Sequence, residues 1–287
     1  MKTARESVGL PKTIWILWLQ GFAAAPPLVQ KCLQSWKRHN PAWNVAELDQ
    51  GNLGTWLDLP AIIDTSRTDV TRQALSDIVR INLLAEYGGV WADSTCFCCR
   101  PLETWIDNCM GAGFFAFENP GPDRLLASWF LASQMGCHLT LTYRDVVNAY
   151  WADHRFATEH TAREEKIIRH LTRLLKRNVF LTRFWFSPLV SKGLRVYPYY
   201  WFHYLLAEVI RKDRLSRQIW DRRHRYSADI PHRLQFAGLF EPIPDTLKSI
   251  VDRQQDPLYK LTWKHTRRGE CHGCTLDYLL QTADMPS

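Results

Sequence analysis

No stretch of the 287-residue chain approaches the roughly 18 consecutive apolar residues that a membrane-spanning helix needs, so no span is expected. The opening MKTARESVGLPK is polar, and the apolar run after it, Ile14 to Leu19, is too short for a secretory leader. A cytoplasmic location is therefore expected, with disulfides disfavoured. Internal repeats and low-complexity linkers are missing as well, which excludes solenoids and leaves no hard domain boundary. Of eight cysteines, Cys271 and Cys274 have C-x-x-C spacing, and Cys96, Cys98 and Cys99 form an irregular second cluster. A structural zinc site normally shows two regular pairs, so ordinary reduced thiols are expected.

What the chain has in excess is tryptophan, 13 residues, and positive charge, a net +7. Residues 163 to 225 hold most of that charge, in runs such as RHLTRLLKR and WDRRHRY. A basic surface favours anionic partners, among them nucleotide phosphates, lipid headgroups and nucleic acid, or is simply a solvated face. The segments FLTRFWFSPLV and VYPYYWFHYLLAEVI combine aromatics with Arg in a way that suits a membrane interface, although a buried helix pair explains them equally.

KTIWILWLQG is continuously apolar, as a parallel strand covered on both faces would be. APPLVQKCLQSWKRHNP predicts a helix opened by Pro26 and Pro27 and closed at Asn40-Pro41, and WNVAELD predicts a second strand. Strand, helix and strand within about forty residues make a βαβ unit of the kind that builds nucleotide-binding sheets. The clearest helix is DVTRQALSDIVRINLLAEYGG, with Ala74, Ile78, Ile81 and Ala85 in one apolar stripe and Gly88 as a left-handed C-cap. VWA and GAGFFAFEN predict strands, whereas DRLLASWFLASQMG and EEKIIRHLTRLLKR predict amphipathic helices. The fold class expected is α/β, with a Rossmann-like sheet followed by a largely helical, basic half.

Asp93 stops the apolar run Val90-Trp91-Ala92, and a carboxylate at the end of a buried strand is costly unless something pairs with it. In open α/β sheets that end is where ligands bind. Asp77 and Arg80 lie three apart on the preceding helix and share a face. They read either as a surface ion pair or as a grip on hydroxyls, the carboxylate accepting and the guanidinium donating.

The segment LSDIVRINLLAEYGGVWADST resembles the sugar-nucleotide-binding segment of glycosyltransferase family 32 and its relatives, which include the capsular polysaccharide synthesis proteins. Their pattern is S-D-x-x-R, then L-x-x-x-G-G, then an aromatic strand ending in D-x-D. The stretch from Pro11 to about Leu102 shares the resemblance, and DPLYKLTWKH resembles the closing segment of the capsular proteins. It implies a GT-A fold, with a donor core over residues 1–122 and a segment closing the donor site over 251–287; between them the sequence pattern predicts a mostly helical acceptor or membrane-proximal region over 123–250. It further implies a retaining glycosyltransferase that takes a nucleotide-sugar donor, with UDP-sugar the first expectation, and an oligosaccharide or lipid-linked acceptor. The biological setting it implies is bacterial capsule, lipopolysaccharide or other surface glycan, at the inner face of the cytoplasmic membrane.

By the same resemblance, Asp77, Arg80 and Asp93 carry catalysis. Trp18, Gln20, Gly89, Thr95 and Lys264 join them in holding the donor, although Trp18 also reads as a core residue. Glu118, after the strand GFFAFE, reads as an acceptor contact or as a surface glutamate. The second motif aspartate is Thr95 here, a DST in place of D-x-D. Two accounts of the leaving diphosphate follow. Either a divalent cation, Mn²⁺ or Mg²⁺, is held by the diphosphate with Asp93, Thr95 and His265, or a basic residue, Lys264 or His265, offsets the charge instead. No second carboxylate suggests itself as a nucleophile, so front-face displacement is expected rather than a covalent intermediate. Two other readings remain at this point: a nucleic-acid-binding protein, supported by net charge and interleaved aromatics but by no recognised motif, and a binding-only relative, supported by Thr95.

Overall fold

The computed structural model describes residues 9–263 and 273–282. Its centre is a five-stranded sheet in the order β2-β1-β3-β6-β5. Strands β1 (Thr13–Leu17), β2 (Asn44–Leu48) and β3 (Gly89–Ala92) run parallel. Strands β5 (Phe114–Gly121) and β6 (Arg124–Ser133) form an antiparallel hairpin that joins the sheet through β6 and β3. A second, two-stranded sheet pairs β4 (Cys96–Cys98) with β7 (Leu258–Lys260).

Alternation along the strands feeds two cores. Trp15 and Trp91 enter a cluster with Ile78, Leu83, Tyr143 and Phe202 on one face. Ile14, Val90 and Phe130 enter another with Trp36, Phe115 and Trp105 on the opposite face. Covering both faces is what makes the strands read as continuous apolar runs.

Helix α1 (Pro27–His39) starts on a proline at its first turn and ends at Asn40, whose amide donates back to Trp36 O at 3.0 Å. The short helix α2 (Leu59–Ile62) is capped by Asp58. Helix α3 (Arg72–Tyr87) is capped by Thr71, whose hydroxyl accepts from Ala74 N. Its C-cap is Gly88, as expected, but with φ 65° and ψ −155°, so the expected left-handed helical cap is corrected to a more extended turn. A side chain there would meet Ser133 O and Met135 N at 2.9 Å, and one at Gly89 would meet Thr13 O at 2.5 Å. Only two glycines in a row let α3 turn flush into β3 between β1 and β6.

After the short α4 (Ile106–Cys109) comes the largest departure from expectation. DRLLASWFLASQMG is not a helix: it contains the whole of β6, with Trp91 opposite Leu131 and Ala116 opposite Leu131 on the other side. A ten-residue run that is apolar on both faces fits either helix or strand by periodicity, and here the short turn from FFAFEN decides for a hairpin. The hairpin also crosses the 122/123 boundary, so the sheet draws a central strand from beyond it.

The remainder is helical: α5 (His138–Asp153), α6 (Ala162–Leu175), α7 (Val179–Thr182), α8 (Trp201–Lys212), α9 (Arg214–Arg222), α10 (Asp229–Ala237) and α11 (Asp245–Asp252) precede β7, and α12 (Thr275–Thr282) follows it. Helix α5 packs over α3, where Asn82 and Asn148 exchange two amide hydrogen bonds of 2.9 and 3.0 Å, and α8 packs on α5 and β6. Among the described residues, no helix is long and apolar enough to cross a membrane. The thiols of Cys32, Cys96, Cys98, Cys99, Cys109 and Cys137 are unpaired, and burial pushes those of Cys96 and Cys98 up to about 12. Cys271 lies outside the described residues.

Candidate functional site

The charged residues singled out in the sequence converge at the carboxyl end of β3. Arg80 is 4% exposed, which excludes the surface ion pair. Its guanidinium pairs with Asp77 on the same helix and donates from its other terminal nitrogen to Asp93 Oδ1 at 2.9 Å. It lies over the rings of Trp91 and Phe202, 4.9 and 5.5 Å from their centroids. Trp91 Nε1 donates to the same Asp93 oxygen at 2.9 Å.

The other oxygen of Asp93 accepts from a residue that the sequence reading did not single out. Lys260 Nζ donates to Asp93 Oδ2 at 3.0 Å and to Thr95 Oγ1 at 2.6 Å. Its position is fixed by the β4–β7 ladder, in which Lys260 stands opposite Cys96, and by Leu261 N donating to Thr95 O at 2.8 Å. Charges therefore alternate along one line: Asp77, Arg80, Asp93, Lys260.

Electrostatics follow from this order. Burial pushes the Asp93 carboxyl upward, but Lys260, Arg80 and the Trp91 N–H outweigh it and hold it down at about 2. Asp77 has Arg80 alone beside it; burial and the Asp93 charge push it up to about 7. Burial disfavours the Lys260 cation, yet Asp93 and Cys96 raise it above the ordinary lysine value, so it stays charged. His203, on α8, is driven down to about 3 by burial and then by Arg124 and Arg80, and its ring is neutral.

Other expected residues fall around this line. Trp18 follows β1 at the same end of the sheet, half-buried, with Trp263 edge-on at 5.9 Å between centroids. Gln20 is exposed beside it. Thr95 is buried and held by Lys260. Tyr199, which the sequence reading also passed over, donates no bond to the line but accepts from Gln73 at 3.3 Å, and burial together with Tyr200, Asp77 and Asp93 raises its phenol.

Gly89 corrects an expectation. It begins β3, four residues before Asp93, about 13 Å away at the rise of a strand. Its place against Thr13 O is one of packing, and it does not reach the end where a donor would sit. Glu118 is not brought into the line either. Its carboxylate pairs with Arg223, and its backbone exchanges hydrogen bonds with Tyr226 and Ala228, pinning that segment to the edge of the sheet. Lys264 and His265 lie outside the described residues.

The residues present do not suit a divalent cation. Asp93 is the one carboxylate between Arg80 and Lys260, and both its oxygens already accept hydrogen bonds. The Thr95 hydroxyl accepts from the ammonium, and no cluster of three His, Cys, Asp or Glu is present among the described residues. A hard cation seeks several unoccupied oxygens and is repelled by two fixed cations at this range.

A family profile described as capsular polysaccharide synthesis protein matches residues 2–161, which contain Asp77, Arg80, Asp93 and Thr95 but not Lys260. The chain is similar to the O-glycosyltransferase braB of Annulohypoxylon truncatum, 28% identical over 166 residues, which are 51% of this chain and 39% of that protein. It is also similar to the glycosyltransferase afumC of Aspergillus fumigatus, 25% identical over 158 residues, 49% and 40% of the two chains. The matches thus span about two-fifths of each of those relatives. Among solved structures, PaToxG glycosyltransferase aligns over 86% of each chain at 15% identity, with a TM-score of 0.35.

Proposed function

The chain belongs to the capsular polysaccharide synthesis protein family, and from that premise we propose that it is a glycosyltransferase acting on a nucleotide-sugar donor. One observation carries the reading: in a chain of this family, a line of alternating charges, Asp77–Arg80–Asp93–Lys260, buried at Arg80 and part-buried at the other three, ends at the carboxyl edge of the sheet where Trp18 follows β1. A perturbed charge cluster at the carboxyl end of a strand, where open α/β sheets bind ligands, supports a functional site. Both curated relatives carry the name glycosyltransferase, which agrees with the reading.

In the proposed reaction the bond between the donor sugar C1 and the diphosphate oxygen breaks, and its electron pair leaves with the diphosphate. The acceptor hydroxyl attacks C1 from the same face, and its proton passes to the departing phosphate oxygen, so configuration is retained. Neither carboxylate is free to act as a nucleophile, because Asp77 is held by Arg80 and Asp93 by three donors, which supports this front-face course. Asp77 and Arg80 hold sugar hydroxyls, and Trp18 stacks on the base.

The acceptor in this proposal is a glycan or lipid-linked sugar reached at an anionic membrane face. Phe180, Phe184 and Leu189 are exposed together, with the Arg183 guanidinium 3.8 and 4.9 Å from the two rings. Aromatic side chains flanked by cations suit the headgroup layer of such a surface. The inner face of a bacterial cytoplasmic membrane is the setting proposed.

The deciding experiment incubates purified protein with UDP-, GDP-, ADP-, dTDP- and CMP-sugars and follows thermal shift and donor hydrolysis. Turnover of one donor, lost in a folded Asp77→Ala protein, is the expected result. Turnover undiminished by that substitution removes the assignment.

A further inference from the structure

The DST motif and the position of Lys260 carry a statement about how the site handles charge. An ammonium has three N–H donors in a roughly tetrahedral fan. Two are spent on Asp93 Oδ2 and Thr95 Oγ1. Among the described residues the third has no acceptor, and the side chain keeps 16% of its surface exposed beside Asp93, which keeps 28%. The lysine therefore stands between the two residues that occupy the motif's first and third positions and points one donor away from both. Its placement does not depend on a flexible tail: the β4–β7 ladder fixes its backbone, and Tyr259 and Leu261 on either side are buried.

We infer that the Lys260 ammonium occupies the place of a divalent cation in this site, so that the donor's diphosphate binds to it directly and transfer proceeds without a metal. This rests on the donor-site reading above. Thr95 then has a reason to be a hydroxyl. A second carboxylate at that position would bind the ammonium twice over and leave less of its charge for the donor, whereas a hydroxyl accepts one N–H and keeps the cation available. Asp93 orients the ammonium and is itself kept ionised by Arg80 on its other side. As the glycosidic bond breaks, the negative charge that gathers on the diphosphate meets a positive group already in position.

The test uses the full chain with UDP, GDP and ADP as probes, titrated calorimetrically in EDTA and again in Mn²⁺, with Mn²⁺ binding to the protein followed by electron paramagnetic resonance. The expected result is that one nucleoside diphosphate binds in EDTA within about twofold of its affinity in Mn²⁺. Lys260→Met should then weaken binding in EDTA at least tenfold, and Lys260→Arg should retain most of it. Binding that appears only with Mn²⁺, an affinity unchanged in Lys260→Met, or silence with all three probes in both buffers overturns the inference. Should Lys260→Met fail to fold, the comparison of EDTA with Mn²⁺ on the unaltered protein still decides it. The two proposals separate in the outcome: sugar-nucleotide turnover that needs Mn²⁺ sinks this inference and leaves the glycosyltransferase reading standing. Metal-free diphosphate binding through Lys260, with no sugar-nucleotide turned over, sinks the glycosyltransferase reading and leaves only the diphosphate-binding part of this inference.

Discussion

Two buried charge networks lie a few residues apart in this chain, and they are built for different ends. Arg67 and Asp69 form a bidentate pair with bonds of 2.9 and 2.6 Å, their side chains 4% and 8% exposed. Arg67 also donates to the carbonyls of Trp151 and His154, and Asp69 accepts from Phe156 N at 2.7 Å. Its charges are matched within the fold, and it ties the segment before α3 to the end of α5. The line through Arg80 is just as buried at its inner end but opens toward solvent at Asp93 and Lys260. A saturated network is a lock, whereas one that ends in a third ammonium donor with no acceptor among the described residues, at the carboxyl edge of a sheet, is the arrangement on which the proposed donor site rests. An open cavity lined by Asp64, Arg67, Arg155 and Arg195 sits over the lock, but Asp64 already accepts from Ser66 and Arg67 is committed to Asp69.

The comparison breaks most decisively at Asp93. Asp93→Ala leaves the two cations beside it short of their shared carboxylate, so transfer should fall at least about a thousandfold and stability by about 3–5 kcal/mol. Donor turnover and urea unfolding measure the two losses. Arg67→Met should cost a similar 3–5 kcal/mol in unfolding experiments, because Asp69 is left buried without its cation. Turnover per folded molecule should stay within about twofold. If turnover collapses there too, the distinction between lock and site is wrong.

Gly89→Ala tests the packing assignment. Its backbone lies at φ 89°, and a Cβ would meet Thr13 O at 2.5 Å. The conformation alone costs about 1–3 kcal/mol, so a lowered melting temperature is expected with the donor affinity of the folded fraction preserved.

Acidity sharpens the picture further. Asp93 is held at about 2, below its unfolded value, so the stability it contributes is full above about pH 4 and is lost as pH falls toward 2. Asp77, raised to about 7, has the opposite sign: the folded chain keeps that proton while the unfolded chain releases it, so stability declines from about pH 4 to 7. Unfolding titrations of Asp77→Asn should show the second slope flattened. The smallest effect on stability belongs to the aromatic patch. Phe180→Ser with Leu189→Ser should change unfolding by less than about 0.5 kcal/mol, while sedimentation with phosphatidylglycerol vesicles, compared with phosphatidylcholine, is reduced.

Sequence reasoning reached the parts of this site that are local in the chain. Asp77 and Arg80 meet because helical spacing makes them meet, and Asp93 stood out because a carboxylate interrupts an apolar strand. Lys260 lies 167 residues from Asp93, beyond the reach of any spacing rule. Yet the argument that exposed Asp93 applies to it unchanged: PLYKL is a buried run interrupted by one charge, and a buried lysine needs a partner. Applying the rule to both signs of charge would have paired them. The parallel strands were legible because both faces are covered, and for that same reason β6 was not, since an all-round apolar segment has no face to reveal its period. The strand that Gly89 opens carries it to the end of the sheet away from Asp93, and the pairing of Glu118 with Arg223, 105 residues away, leaves no local mark in the sequence.

The distance between Asp93 and its ammonium also sets a sequence of events during synthesis. Ribosomes add about 5–20 residues per second, so the strands that carry Trp15, Trp91 and Asp93 emerge on the order of ten seconds before Lys260. Throughout that interval a nascent chain holds every parallel strand of its sheet and no complete site. A product cut short before β7 would still contain those strands but would lack Lys260, the cation proposed to meet the donor. On the proposed reading, competence waits for the docking of one short strand, so the sheet forms from segments that do not yet carry the proposed site.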